Sequence, residues 1–152
     1  MFIGVISDTH GLLRPDATDV LRGSEHIIHA GDIGDPAILE RLSEVAPVTA
    51  VRGNVDREPW AKNIPETNVL ELDGVSIYIL HILESLDLKP KPAGIDAVIY
   101  GHSHVPEQEM KDGMLYFNPG SAGPRRFSLP VTVGKLIVQG GKIRAEIVQL
   151  FP

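Results

Sequence analysis

The 152-residue chain has no cysteine. Disulfide staples and thiolate metal sites are excluded, so any bound metal must take oxygen and nitrogen ligands. The same absence fits a reducing compartment, and a cytoplasmic protein is expected. Cations are in deficit: 14 Lys and Arg stand against 20 Asp and Glu, a formal charge of −6. A broad nucleic-acid face needs clustered cations to neutralise phosphates, so a nucleic-acid partner is not expected. Long apolar runs are also missing. Nothing approaches the roughly 18 residues that span a bilayer. The apolar start, residues 1–6, is too short for a secretion-signal core and has no basic region before it, so no membrane partner or export is expected.

What is present is an ordinary globular composition, 43% hydrophobic and 22% charged. At this length it can bury one sizeable core, and a single domain over 1–152 is expected. Residues 2–7 (FIGVIS), 26–32 (HIIHAGD) and 48–54 (VTAVRGN) read as strands, the first two buried. Between them lie a short helix in DATDVLRG and a better one in PAILERLSEVA. Asp35 can cap the second helix, with Pro36 at its first position. Alternating strands and helices predict parallel pairing with crossovers. The second half changes style. Asp73-Gly74, Asp112-Gly113 and Gly140-Gly141 each sit between apolar runs and signal hairpins. Residues 88–94 (LKPKPAG) read as a loop, and GIDAVIY as one more buried strand. An α/β fold is expected, wound in its first half and mostly antiparallel in its second, with two sheets face to face.

Polar residues gather at strand ends. The runs finish in Asp8-Thr9-His10, Gly31-Asp32, Gly53-Asn54-Val55-Asp56 and Gly101-His102-Ser103-His104, and a fifth ends at His81. Sites in α/β sheets form beyond the carboxyl ends of strands. If these ends are neighbours, Asp8, His10, Asp32, Asn54, His81, His102 and His104 converge. Glycines before Asp32, Asn54 and His102 let the backbone turn tightly. The set is all oxygen and nitrogen and too large for one tetrahedral ion. It suits two ions of five or six coordination, with Asp32 as the natural bridging carboxylate.

Each motif alone has a bland explanation. A histidine at a strand end is usually solvated, and Gly-Asp or Gly-Asn is an ordinary turn pair. Four of the six histidines fall in this set, however, and Gly-His-Ser-His has little structural use. His29 reads as a packed strand residue. Asp56 reads either as an acceptor for a ligand imidazole or as a turn residue.

In this order the motifs resemble the calcineurin-like metallophosphoesterases, closest to their small bacterial and archaeal phosphodiesterase branch. The resemblance runs from Ile3 to about Arg125 and includes FNPGS at 117–121 with Pro124-Arg125. It implies a four-layer αββα sandwich of two mixed sheets. It also implies two divalent ions, Mn²⁺ before Ni²⁺, Fe²⁺, Co²⁺ or Zn²⁺. Asp8, His10 and His104 would bind one ion. Asn54, His81 and His102 would bind the other, with Asp32 between them. Asp32, Asn54 and His81 also stand as the catalytic residues.

The expected reaction is hydrolysis of a small-molecule phosphate ester. Two ions about 3.5–4 Å apart activate a bridging hydroxide that attacks phosphorus directly. A phosphomonoesterase is one alternative, and a non-catalytic interaction scaffold on the same fold, as in the related retromer subunit, is the other. Val55 stands where the protein-phosphatase branch has a histidine that protonates the leaving group, which tilts the expectation toward diesters. His81-Ile82-Leu83 replaces the usual His-Gly-His. Arg52, Arg57, Arg125 and Arg126 are candidate phosphate contacts, since guanidinium matches phosphate oxygens. Arg125 and Asn118 are the preferred substrate-binding pair.

Overall fold

A computed structural model of the chain describes residues 1–151. Two five-stranded mixed sheets pack face to face. The first runs β10-β9-β1-β2-β3, formed by β1 (Phe2–Ile6), β2 (His26–His29), β3 (Val48–Ala50), β9 (Thr132–Gln139) and β10 (Lys142–Gln149). The second runs β4-β5-β6-β8-β7, formed by β4 (Thr67–Leu72), β5 (Val75–Leu80), β6 (Ala97–Ile99), β7 (Glu107–Lys111) and β8 (Met114–Asn118). Between the sheets lies a buried core that includes Ile3, Val5, Ile28, Ile77, Ile79, Ile99, Phe117 and Leu136. Each such side chain contributes about 1.5–3 kcal/mol by leaving water.

The outer face of the first sheet is covered by α1 (Pro15–Leu21) and α2 (Pro36–Ser43), through Ala17, Leu21, Ile38 and Leu42. Asp35 caps α2 as expected, its carboxylate accepting from the Ala37 amide at 2.9 Å. The outer layer of the second sheet is thin. Leu83, Leu86 and Leu88, on or beside the 3₁₀ turn Leu83–Ser85, cover Tyr78, Leu80, Val98 and Tyr100. Among the described residues no helix is long and apolar enough to cross a membrane.

β1, β2 and β3 are parallel, as strand-helix alternation predicts. The second half is mostly antiparallel, as expected. Its three hairpins form where expected, but the centre of the second sheet, β5-β6-β8, is parallel. Hairpins announce themselves through local turn residues, whereas parallel partners are distant in sequence and leave no local mark. The last hairpin also leaves its neighbours, placing β9 antiparallel beside β1 in the first sheet. The carboxyl ends of β1, β2, β3, β5 and β6 thereby open onto one edge of the sandwich.

Candidate metal centre

Along that edge the structure brings two groups of side chains together. Ligand atoms of Asp8, His10 and His104 lie within 4.8 Å of one another, and so do those of Asp32, His81 and His102. The groups adjoin. His10 Nε2 is 3.8 Å from Asp8 Oδ1 and 3.7 Å from Asp32 Oδ2. His81 Nε2 is 3.8 Å and 3.0 Å from the same two oxygens. His10 and His104 face each other through Nε2 atoms 3.3 Å apart. Asn54 Oδ1 is 3.2 Å from His102 Nδ1.

The hydrogen bonds show which atoms are committed and which are free. Asp8 Oδ2 accepts from the Ser7 hydroxyl at 2.8 Å and the His102 amide at 3.1 Å. Asp8 Oδ1 is buried with no hydrogen-bond partner, and His81 Nε2 is likewise without one. Nδ1 of His81 donates to the Ala30 carbonyl at 2.7 Å, which leaves Nε2 facing the hollow. Buried polar atoms without partners are rare and costly. Here they converge on one hollow, and they are carboxylate oxygen and imidazole nitrogen, the donor chemistry of Mn²⁺, Fe²⁺, Ni²⁺, Co²⁺ and Zn²⁺. The residues fit divalent metal.

Electrostatics agree. Burial pushes the Asp8 carboxyl up, but the imidazoles of His10, His81 and His104 and the Ser7 hydroxyl outweigh it and hold the pKa below the usual carboxylate value. Asp32 is also lowered: burial opposes ionisation, and His81, the Val55 amide and His10 overcome it. His10 is raised, first by Asp8. His81 is raised despite burial, through Asp32 and Asp8. His104 is held down by burial, with Arg126 acting in the same direction. Two ionised carboxylates thus face a pocket of imidazoles.

The backbone here is unusual. Asp8, His10, Asp32, His102 and His104 all have φ between 45° and 75°. The left-handed region costs non-glycine residues on the order of 1–3 kcal/mol each when surrounding structure must hold them there. The preceding glycines act differently from expectation. Gly31 does take a left-handed φ of 102°. Gly53 and Gly101 do not, and are needed for closeness instead. A Cβ at Gly53 would overlap the Asp32 carboxylate, and one at Gly101 would overlap the Ser7 hydroxyl.

Supporting contacts hold the strained loops. Asp56, 3% exposed, hydrogen-bonds no imidazole among the described residues. Its carboxylate accepts from the amides of Ile33, Gly34 and Gly53, tying the Asp32 and Asn54 loops together. His29 is fully buried, and burial lowers its pKa to about 4. Neutral, it accepts at Nδ1 from the Gly31 amide and donates from Nε2 to Thr9, whose hydroxyl donates to the Ile33 carbonyl. Sequence reasoning missed this brace; only the buried strand context of His29 hinted at it.

One expectation about substrate contacts changes. Asn118 is fully buried rather than at the rim. Its amide nitrogen donates to the Gly101 carbonyl and the Ser103 hydroxyl, and its oxygen accepts from Gly120, so it braces the histidine loop. Arg125 and Arg126 are both exposed. Their loop is rooted at the centre: the Ser121 hydroxyl donates to the Asp8 carbonyl and the Ala122 amide to Ser7. No signal in Pro-Arg-Arg distinguishes the two arginines.

Comparison with known proteins places this architecture. Residues 1–141 match the calcineurin-like phosphoesterase superfamily domain. A probable metallophosphoesterase of Methanothermobacter thermautotrophicus is 35% identical, over 98% of this chain and 92% of that protein. A solved archaeal phosphodiesterase structure superposes with a TM-score of 0.79 at 28% identity, covering 97% of this chain and all of that one. Vps29 of Chaetomium thermophilum shares the fold, with a TM-score of 0.79 at 20% identity over 98% of this chain and 96% of that one. The chain belongs to the calcineurin-like phosphoesterase superfamily.

Proposed function

We propose that residues 1–152 form a single domain that hydrolyses small-molecule phosphodiesters with two divalent metal ions. The observation that carries this reading is the convergence of the Asp8-His10-His104 and Asp32-His81-His102 groups on one hollow holding unpartnered ligand atoms. Relatives named phosphodiesterase and metallophosphoesterase support it. In this reading Asp8, His10 and His104 hold one ion. Asn54, His81 and His102 would hold the other, with Asp32 as a ligand to both. When bound, the ions would lower the pKa of a coordinated water and neutralise charge as it grows on the phosphoryl oxygens. Mn²⁺ is the first candidate.

The chain's own residues do the rest. Asp56, His29 and Asn118 fix the loops that aim the ligands. Arg125 remains the candidate phosphate contact, with the equally exposed Arg126 beside it on a loop rooted at the Asp8 carbonyl. Val55 is 47% exposed where a proton donor stands in the protein-phosphatase branch. Without that donor, a diester of lower charge is favoured over a monoester. The cysteine-free composition suits the cytoplasm, where we place the activity.

The test incubates purified protein with a chromogenic bis-aryl phosphate and Mn²⁺, with and without chelator. Chelator-sensitive turnover is expected, exceeding that of the aryl monophosphate with the same leaving group. No turnover with any of Mn²⁺, Ni²⁺, Co²⁺ or Zn²⁺ refutes the enzyme and favours a scaffold. Preference for the monoester refutes the diester assignment.

A further inference from the structure

Beside Asn54 a cavity of about 400 Å³ opens, walled by Arg52, Asp56, Arg57, Glu58, Lys62 and Glu66. Its formal charges balance, so its selectivity depends on which groups retain bonding capacity. Each carboxylate already has a partner. Asp56 is buried against three backbone amides. Glu58 accepts from the Trp60 indole at 3.0 Å. Glu66 is paired with Arg52 at 3.1 Å. The cations are freer. Arg57 uses only Nε, donating to the Asn54 carbonyl at 2.9 Å, which holds its guanidinium beside the candidate metal centre. Lys62 is exposed on the 3₁₀ turn Pro59–Asn63. Among the described residues neither Arg57 nor Lys62 pairs with a carboxylate. Arg57 and Lys62 are therefore the two cations lining the space that have no carboxylate partner.

We propose that this cavity is a subsite for a second phosphate, carried on one arm of the diester and contacted by Arg57 and Lys62. The inference rests on the phosphodiesterase reading above and narrows it to diesters with an additional phosphate group. Guanidinium and ammonium together form charge-assisted hydrogen bonds to phosphate oxygens. The Arg52-Glu66 pair is the wall shared with a neighbouring cavity of about 290 Å³, lined by Asn54 and His81.

The test compares two substrates with one leaving group on the Mn²⁺-loaded protein. These are the p-nitrophenyl ester of thymidine 5′-monophosphate and the same ester bearing a 3′-phosphate. The 3′-phosphorylated ester is expected to show a KM lower by about tenfold with kcat little changed, since the gain is in ground-state binding. In Arg57→Gln/Lys62→Gln the ratio of the two KM values should fall to about one. Equal KM values in the wild type, or a ratio that survives the double substitution, overturn the subsite. Lys62→Gln alone, on an exposed turn, carries the test if the double variant does not fold, and should lower the ratio about threefold. If neither ester is hydrolysed, the phosphodiesterase reading fails and the subsite is judged by calorimetry in chelator. There, thymidine 3′,5′-bisphosphate is expected to bind about tenfold tighter than thymidine 5′-monophosphate. Equal affinity overturns the subsite independently of catalysis.

Discussion

The two poles of the sandwich put the same rare backbone conformation to opposite uses. At one pole lie the hairpin turns Asp73-Gly74, Asp112-Gly113 and Gly140-Gly141. Both central residues of each have positive φ, between 49° and 81°, as a tight hairpin turn demands. The space around these glycines is open: no atom lies within 4 Å of where a Cβ would stand at Gly74, Gly113, Gly140 or Gly141. The conformation there is relaxed and local. At the other pole Asp8, His10, Asp32, His102 and His104 take similar angles inside a packed, charged hollow. No turn type requires this; the surrounding braces enforce it. Left-handed backbone is thus cheap punctuation at the first pole and a means of aiming ligand atoms at the second.

Substitutions at the two poles should accordingly behave differently. The largest effect is expected for Asp32→Ala or His104→Ala. Mn²⁺-dependent turnover should fall more than about 100-fold, beyond what loss of a group that merely orients a ligand costs. Circular dichroism should show the fold retained. Near-wild-type turnover in either variant contradicts the ligand assignment.

The His29 brace predicts a pH effect of about 3 kcal/mol. The group ionises near its ordinary value when unfolded but only at about 4 when folded. The unfolded state therefore binds more protons between these values, so stability is full above about pH 6.5 and declines as pH falls toward 4. Urea titrations of wild type and His29→Gln measure it, and the variant should show a flatter slope in that window. Parallel slopes would remove His29 as the cause.

Metal should stabilise the protein by about 2.7 kcal/mol at a hundredfold excess over Kd, raising Tm by roughly 5–10 °C. Chelator should reverse the shift. An unchanged Tm would mean that the hollow does not bind the ion tested. The smallest effect is expected at the far pole. Gly113→Ala should cost about 1 kcal/mol, because alanine resists the left-handed turn. It should leave kcat and KM unchanged; altered turnover would show the poles to be coupled.

Strand tips were readable because their signals are local. A buried apolar run followed by a polar group marks a tip whatever it later packs against, and Asp73-Gly74 specifies a turn unaided. Asn118 and the Pro124-Arg125-Arg126 run show the limit. Residue type marked Asn118 and both arginines as able to bind phosphate. Packing turned Asn118 inward onto the Gly101 carbonyl and left Arg125 and Arg126 exposed. Asp56 was similarly ambiguous until three amides from two loops were seen to converge on it.

By itself, then, the order of residues determined the strands, the hairpin turns, the capped second helix and the chemical type of every group at the tips. Apolar periodicity, turn conformation and donor chemistry act within a few residues. Only the tertiary structure decided the parallel centre of the second sheet, the move of β9 beside β1, and which polar groups face the hollow and which brace it. Those outcomes depend on contacts between segments far apart in the chain, where burial and hydrogen-bond satisfaction are settled jointly.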